Sequence, residues 1–189
     1  MKYFQPSLLL LLLGAALLFP SCDDDEDPVI PNEEELITTL IFTLTPDGGG
    51  APVVWTFRDL DGDGGSAPNI TTAPLAANTD YDGIIQFLNE IETPPEDITE
   101  EVEEEDEEHQ VFYQVSGANL TVNYQDQDSA GNPLGVATSI TTGDAGTGTL
   151  TITLLHEPDK SAQGVSDGDP ANAGGETDIE VTFDVEIVQ

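Results

Sequence analysis

The chain has 189 residues, 38 of them acidic and 3 basic, for a formal charge of −35 at neutral pH. That length suits one domain with a sizeable core, and the charge repels nucleic acid and anionic lipid while attracting cations. DNA and RNA are therefore excluded as partners, although acidity of this kind also serves plain solubility under strong salt screening.

The first segment, "MKYFQPSLLLLLLGAALLFPSC", has Lys2, an apolar run from Leu8 to Leu18 and a small residue before Cys22. This is the layout of a secretory signal peptide: the run is too short to span a bilayer and no basic stop-transfer flank follows. The end of the segment resembles the lipobox of bacterial lipoproteins, in which the cysteine is lipidated and becomes the new N-terminus. Cys22 is then the lipidation site, and residues 1–21 are removed. Phe19 and Pro20 depart from the usual lipobox pattern. The acids directly behind it, Asp23 to Asp27, resemble the surface-export signal of Bacteroidota lipoproteins. Such a signal implies anchoring in the outer membrane, facing the exterior. Loss of Lys2 leaves roughly 168 residues with a charge of about −36. Within them, "DDDEDPVIPNEEE" reads as an extended acidic linker over residues 22–35, and a domain over 36–189 follows.

Past the linker the chain reads as strands. "TLIFTLT", "VVWTF", "LTVNY" and "TLTITLL" alternate apolar and polar residues, and "ETDIEVTFDVEIV" does so without a break, with Ile179 to Ile187 on one face and Asp178 to Glu186 on the other. "YDGIIQFLNE" and "HQVFYQV" are apolar on both faces and suit central strands, and "GVATSITT" adds a further one. The turn clusters between them, such as "TPDGGGAP" and "TGDAGTG", are rich in Gly, Asp and Pro. About eight strands in hairpin order predict an all-β, antiparallel sandwich of immunoglobulin-like type. A small closed barrel is the competing architecture.

One segment departs from this pattern. "TPPEDITEEVEEEDEEH" carries a helix start, with Thr93 as cap, prolines in the first turn, and Ile98 and Val102 spaced to rest on the sandwich. The six acids Glu103 to Glu108 have no basic partner at helical spacing, and negative charge opposes the dipole at a helix C-terminus. The tract is expected to be open, as a solvated acidic loop, or held by cations.

The sharper reading of that tract is a metal site. His109 closes the run of acids, and imidazole beside carboxylate suits zinc, copper or nickel better than calcium. His156, in "LLHEPDK", is the only other histidine. If the strands at 109–115 and 150–156 are neighbours, the two histidines with Glu107 and Glu108 make a transition-metal site for zinc or copper. The bland alternative is two ordinary strand-end histidines. Separately, Asp59, Asp61 and Asp63, followed by Gly64, reproduce the start of an EF-hand calcium loop. Its twelfth position would be Ile70 and its flanks read as strands, so the choice is a calcium-stabilised turn or a plain Asp-Gly hairpin.

No Gly-x-Ser-x-Gly elbow, phosphate loop, HExxH helix or second cysteine occurs, and carboxylate pairs carry little information in so acidic a chain. The chain is therefore expected not to be an enzyme. Asp128-Ser129-Ala130 resembles the Bacteroidota O-glycosylation acceptor, which would place a sugar on Ser129.

The acid-flanked lipobox, "LTPDGGGAPVVWTFRDLDGDGG", "EEVEEEDEEHQVFYQ", "HEPDKS" and "GGETDIEVTFDV" together resemble a family of short Bacteroidota lipoproteins, along nearly the whole mature chain. Members often carry the label "type 1 periplasmic binding fold". That label implies a two-lobed α/β ligand binder, whereas this sequence is too short and lacks the β-α alternation such lobes need. The resemblance implies association with a TonB-dependent outer-membrane receptor. The expected function is non-enzymatic binding of a divalent metal or other cationic ligand. The alternative is a structural or interaction module at the cell surface whose acids only keep it soluble.

Overall fold

The alternating segments become strands because period-two patterning buries one face of each. In the computed structural model, which describes residues 35–62 and 64–189, the chain order is β1 (Thr39–Pro46), β2 (Val53–Arg58), β3 (Asn69–Thr71), β4 (Leu75–Ala76), β5 (Asp80–Asn89) and β6 (Glu96–Asp97). A helix, α1 (Ile98–Glu104), follows, then β7 (His109–Ser116), β8 (Leu120–Tyr124), β9 (Ala137–Thr142), β10 (Gly146–His156) and β11 (Glu176–Val188). Eight of these strands have five residues or more, and they coincide with the eight stretches read from the sequence. The other three are short pairings of two or three residues.

Two sheets result. One has the order β3-β2-β1-β5-β9-β8, with β6 also on β5; the other has the order β4-β11-β10-β7. All pairings are antiparallel except the short β4–β11 contact. The fold is thus an all-β sandwich. Its core interleaves Leu40, Phe42, Trp55 and Phe87 from the first sheet with Leu150, Ile152, Val181 and Phe183 from the second. Trp55 stacks at 5.7 Å from Phe183 and meets Phe42 edge-on at 6.2 Å. Each large apolar side chain fully buried in this layer contributes on the order of 1.5–3 kcal/mol.

Three local features differ from the sequence reading. β5 is central, yet Ile84 remains 50 % exposed. β7 is the edge strand of its sheet and not a central one; it is nevertheless buried on both faces at its start, because the segment after β10 folds back over it. There Val165 and Ala173 pack on Phe112 and Leu155 in a small second core. The helix is capped by Asp97, whose side chain accepts from the Thr99 N–H at 3.1 Å, and not by Thr93, which precedes a cis proline.

Ile98 and Val102 are buried as their spacing requires. Glu103 and Glu104 are helical and not open, and the Glu105 N–H closes the helix on the Glu101 carbonyl. In the turn that follows, the Glu105, Asp106 and Glu108 carbonyls are taken up by His109, Lys160 and the Glu157 N–H respectively. These donors hold the rest of the acidic tract against the sandwich, although no basic side chain stands in the last turn of the helix.

Glu35, the first described residue, already belongs to the compact unit, so the folded part reaches into the segment read as linker. Residues 1–34, Cys22 among them, and Asp63 lie outside the described residues.

Candidate metal centre

β7 and β10 are neighbours, and their register sets His156 directly opposite His109. Directly opposed residues of an antiparallel pair point to the same face, and the ring centroids are 4.5 Å apart. Both rings are buried, at 0 % and 2 % exposure. The residues leading into β1 bring Glu35 between them. Its side chain is 4 % exposed, with Oε1 3.0 Å from His109 Nε2 and Oε2 3.3 Å from His156 Nδ1.

His109 is held from both sides: Nδ1 lies 3.2 Å from the Glu105 carbonyl oxygen, and Nε2 is directed at Glu35. A metal-binding imidazole is commonly held in this way, with its second N–H donated to a backbone carbonyl.

Asp178 completes the group. Strict alternation along β11 assigns it to the wet face with Glu180, but the β10–β11 register slips between Leu154 and Leu155. Leu154 pairs with Ile179 and Leu155 with Thr177, so Asp178 is the extra residue of a bulge. A bulge re-aims side chains, and both Asp178 carboxylate oxygens are buried. Gly175, just upstream, has φ +75°, and a Cβ there would collide with the His156 carbonyl oxygen. Glycine is required where the chain enters the strand beside the site. Glu35, His109, His156 and Asp178 each present a ligand atom, all within 4.8 Å of one another.

The electrostatics suit a cation. Burial raises the Glu35 carboxyl, but its own backbone N–H and the two imidazoles outweigh that and hold it below the usual carboxylate value. Burial lowers His156, and the Glu35 carboxylate, aided by Asp178 and Glu157, outweighs it and leaves the ring above the ordinary histidine value. Glu101, in the first turn of α1, is raised by burial first and then by Glu35 and Glu105. The site therefore gathers carboxylates around two imidazoles, a setting favourable to a cation.

The donor set fits a tetrahedral transition metal. Bonds of ~2.0–2.1 Å from one ion place tetrahedral donors roughly 3.3 Å apart, and one ligand atom from each of the four residues lies within 4.8 Å of the others. Two neutral imidazoles, two carboxylates and a divalent ion sum to zero charge, the favourable state for a buried site. Calcium, which takes six to eight oxygens, is poorly served by two nitrogens in a closed pocket.

The other candidate residues are placed differently. Glu108 lies at the rim, Oε2 3.8 Å from His156 Nε2, with its side chain 58 % exposed. Glu107 turns away and accepts from Ser129 Oγ at 2.5 Å. Ser129 is exposed, and its backbone N–H donates to Asp106. The neighbouring Asp128 is buried against Lys160, Oδ2 to Nζ 2.9 Å. Burial raises Asp128, but the Lys160 ammonium and the Asn132 amides pull it below its ordinary value.

Asp59 Oδ1 accepts from the Asp61 and Gly62 N–H groups, and Asp61 Oδ2 accepts from the Ser66 N–H. These are Asx-type turns closed on their own backbone. Among the described residues, no group able to hold a metal contains Asp59 or Asp61.

Sequence reasoning missed Glu35 and Asp178. Glu35 is the last of three consecutive acids and looks like linker; Asp178 sits in faultless alternation, and only the Gly174-Gly175 pair before it hints at an irregular strand start.

Compared with protein-family models, curated proteins and solved structures, the chain matches none.

Proposed function

We propose that this protein is a non-enzymatic, lipid-anchored β-sandwich of the outer membrane that holds a divalent transition metal, zinc or copper, through Glu35, His109, His156 and Asp178. The observation carrying this reading is the cross-strand pair His109–His156 with the Glu35 carboxylate spanning both rings at 3.0 and 3.3 Å. Four protein donors in a buried pocket leave no open coordination position, which suits retention of an ion rather than catalysis. Cys22 would carry the lipid, and delivery to or from a TonB-dependent receptor would give the captured ion a destination. Supporting the anchor are the lipobox-like ending and the acids that follow it.

The test is a calorimetric titration of the metal-stripped mature chain, starting at Asp23 so that Glu35 is retained, with zinc, copper and calcium in turn at physiological salt. Saturable zinc or copper binding that disappears in a His109→Ala, His156→Ala double variant supports the reading. Weak heats that fade with salt and ignore the histidines sink it, and the surface interaction module becomes the working function.

A further inference from the structure

We infer that His156 serves two cations: the buried one on its Nδ1 side, and a second, solvent-facing divalent transition metal on its Nε2 side, held with Glu108 and Glu157. This deepens the reading above and rests on it. The two nitrogens of an imidazole point away from each other. Nδ1 of His156 faces Glu35 at 3.3 Å. Nε2 is buried and makes no hydrogen bond among the described residues, and it lies 3.8 Å from Glu108 Oε2. A buried ring nitrogen without a hydrogen bond is costly unless something else occupies its lone pair or takes its proton.

Glu157 supplies the third donor. Glu108, His156 and Glu157 each present a ligand atom within 4.8 Å of the others, with both glutamates exposed and the histidine buried. Their placement is fixed by the backbone. The Glu157 N–H donates to the Glu108 carbonyl at 2.6 Å, which ties the residue before β7 to the residue after β10. Glu157 holds a left-handed φ of 50°, a conformation uncommon outside glycine.

The two positions differ in coordination. The inner set is closed by four protein groups, whereas the outer set has three donors at the surface and leaves a position for water. Loading the outer ion displaces the remaining ring proton of His156 to solvent, so the ring becomes an imidazolate bridging two divalent ions. An ion in the outer position is exchangeable and shares a ligand with the buried ion, so it is the point at which metal is gained or passed on.

The test compares the wild-type mature chain with Glu108→Gln, Glu157→Gln and, separately, His109→Ala, by zinc calorimetry and by metal content after equilibrium dialysis. Circular dichroism confirms that each is folded. The expected result is two zinc equivalents of unequal affinity in the wild type and loss of the weaker one alone in the glutamine variant. In the His109→Ala variant the tighter equivalent is the one lost. A bridge also predicts that Cu(II) outside and Co(II) inside give a copper EPR signal attenuated relative to copper outside and zinc inside. One tight zinc that the glutamine variant binds unchanged would overturn the second position and leave the buried centre standing. Absence of any tight zinc in the wild type would overturn the buried centre, and the bridge with it.

Discussion

Two groups of carboxylates meet at one cleft by the start of β1, whose lining includes Leu36, Thr177 and Asp178 as well as Asp59, Leu60 and Asp61. Asp59 and Asp61 belong to the more conspicuous motif, yet their oxygens are spent on the N–H groups of their own turn. Asp178 and nearby Glu35 belong to no motif, yet they converge with two histidines in the interior. The difference teaches that metal competence in so acidic a chain depends on which carboxylates the fold buries beside the histidines, not on how densely acids are spaced in sequence.

The largest effect that can break this comparison is removal of the rings. His109→Ala with His156→Ala is expected to abolish zinc-dependent stabilisation, which in the wild type reaches about 4 kcal/mol at a free zinc concentration ~1,000 times the dissociation constant. Thermal unfolding with and without zinc checks it; equal zinc-induced shifts in both proteins would remove the histidines from the site. Glu35→Gln is expected to weaken zinc binding by about 10- to 100-fold, since it removes the charge that spans both rings.

Lys160→Met sharpens the comparison from the opposite direction. It leaves Asp128 buried without its ammonium and the Asp106 carbonyl without its donor, and it is expected to cost about 3 kcal/mol in urea unfolding without changing zinc stoichiometry. A loss of zinc binding would show that the segment after β10 supports the site directly.

The pH response of the metal-free protein follows from two opposed shifts. His156 is raised by its partners, so its contribution to stability is complete below the ordinary histidine value and is lost as pH rises through its folded value. Glu35 is lowered, so its contribution is present above the ordinary glutamate value and is lost as pH falls through its folded value. Metal-free stability should therefore peak between the two, while zinc affinity rises with pH because the ion competes with the His156 proton. Urea midpoints across pH 4–8, with and without zinc, would expose any other ordering. The smallest expected effect is that of Asp59→Asn with Asp61→Ala: a slight loss of thermal stability and zinc binding indistinguishable from wild type by calorimetry. Stoichiometric calcium binding abolished by this pair would reinstate the turn as a cation site.

Much of the molecule was legible in one dimension because period-two alternation is a local property. The eight longer strands, the burial of Ile98 and Val102, and the candidacy of both histidines needed no partner strand to be seen. Two things were not local. The turn that follows α1, over residues 105–108, is held by donors from residues 109, 157 and 160. Glu107 and Glu108, adjacent in sequence, part company, one turning to Ser129 and the other to His156.

By itself, then, the sequence determined an all-β chain, a surplus of carboxylate and the presence of two histidines at strand ends. Only the tertiary structure decided that those ends lie in register, that Glu35 is folded rather than linker, and that a bulge turns Asp178 inward. The physical reason is that alternation specifies which face a residue takes along its own strand. Which strand lies beside it, and whether the ladder slips by one residue, are decided by packing between segments far apart in the chain.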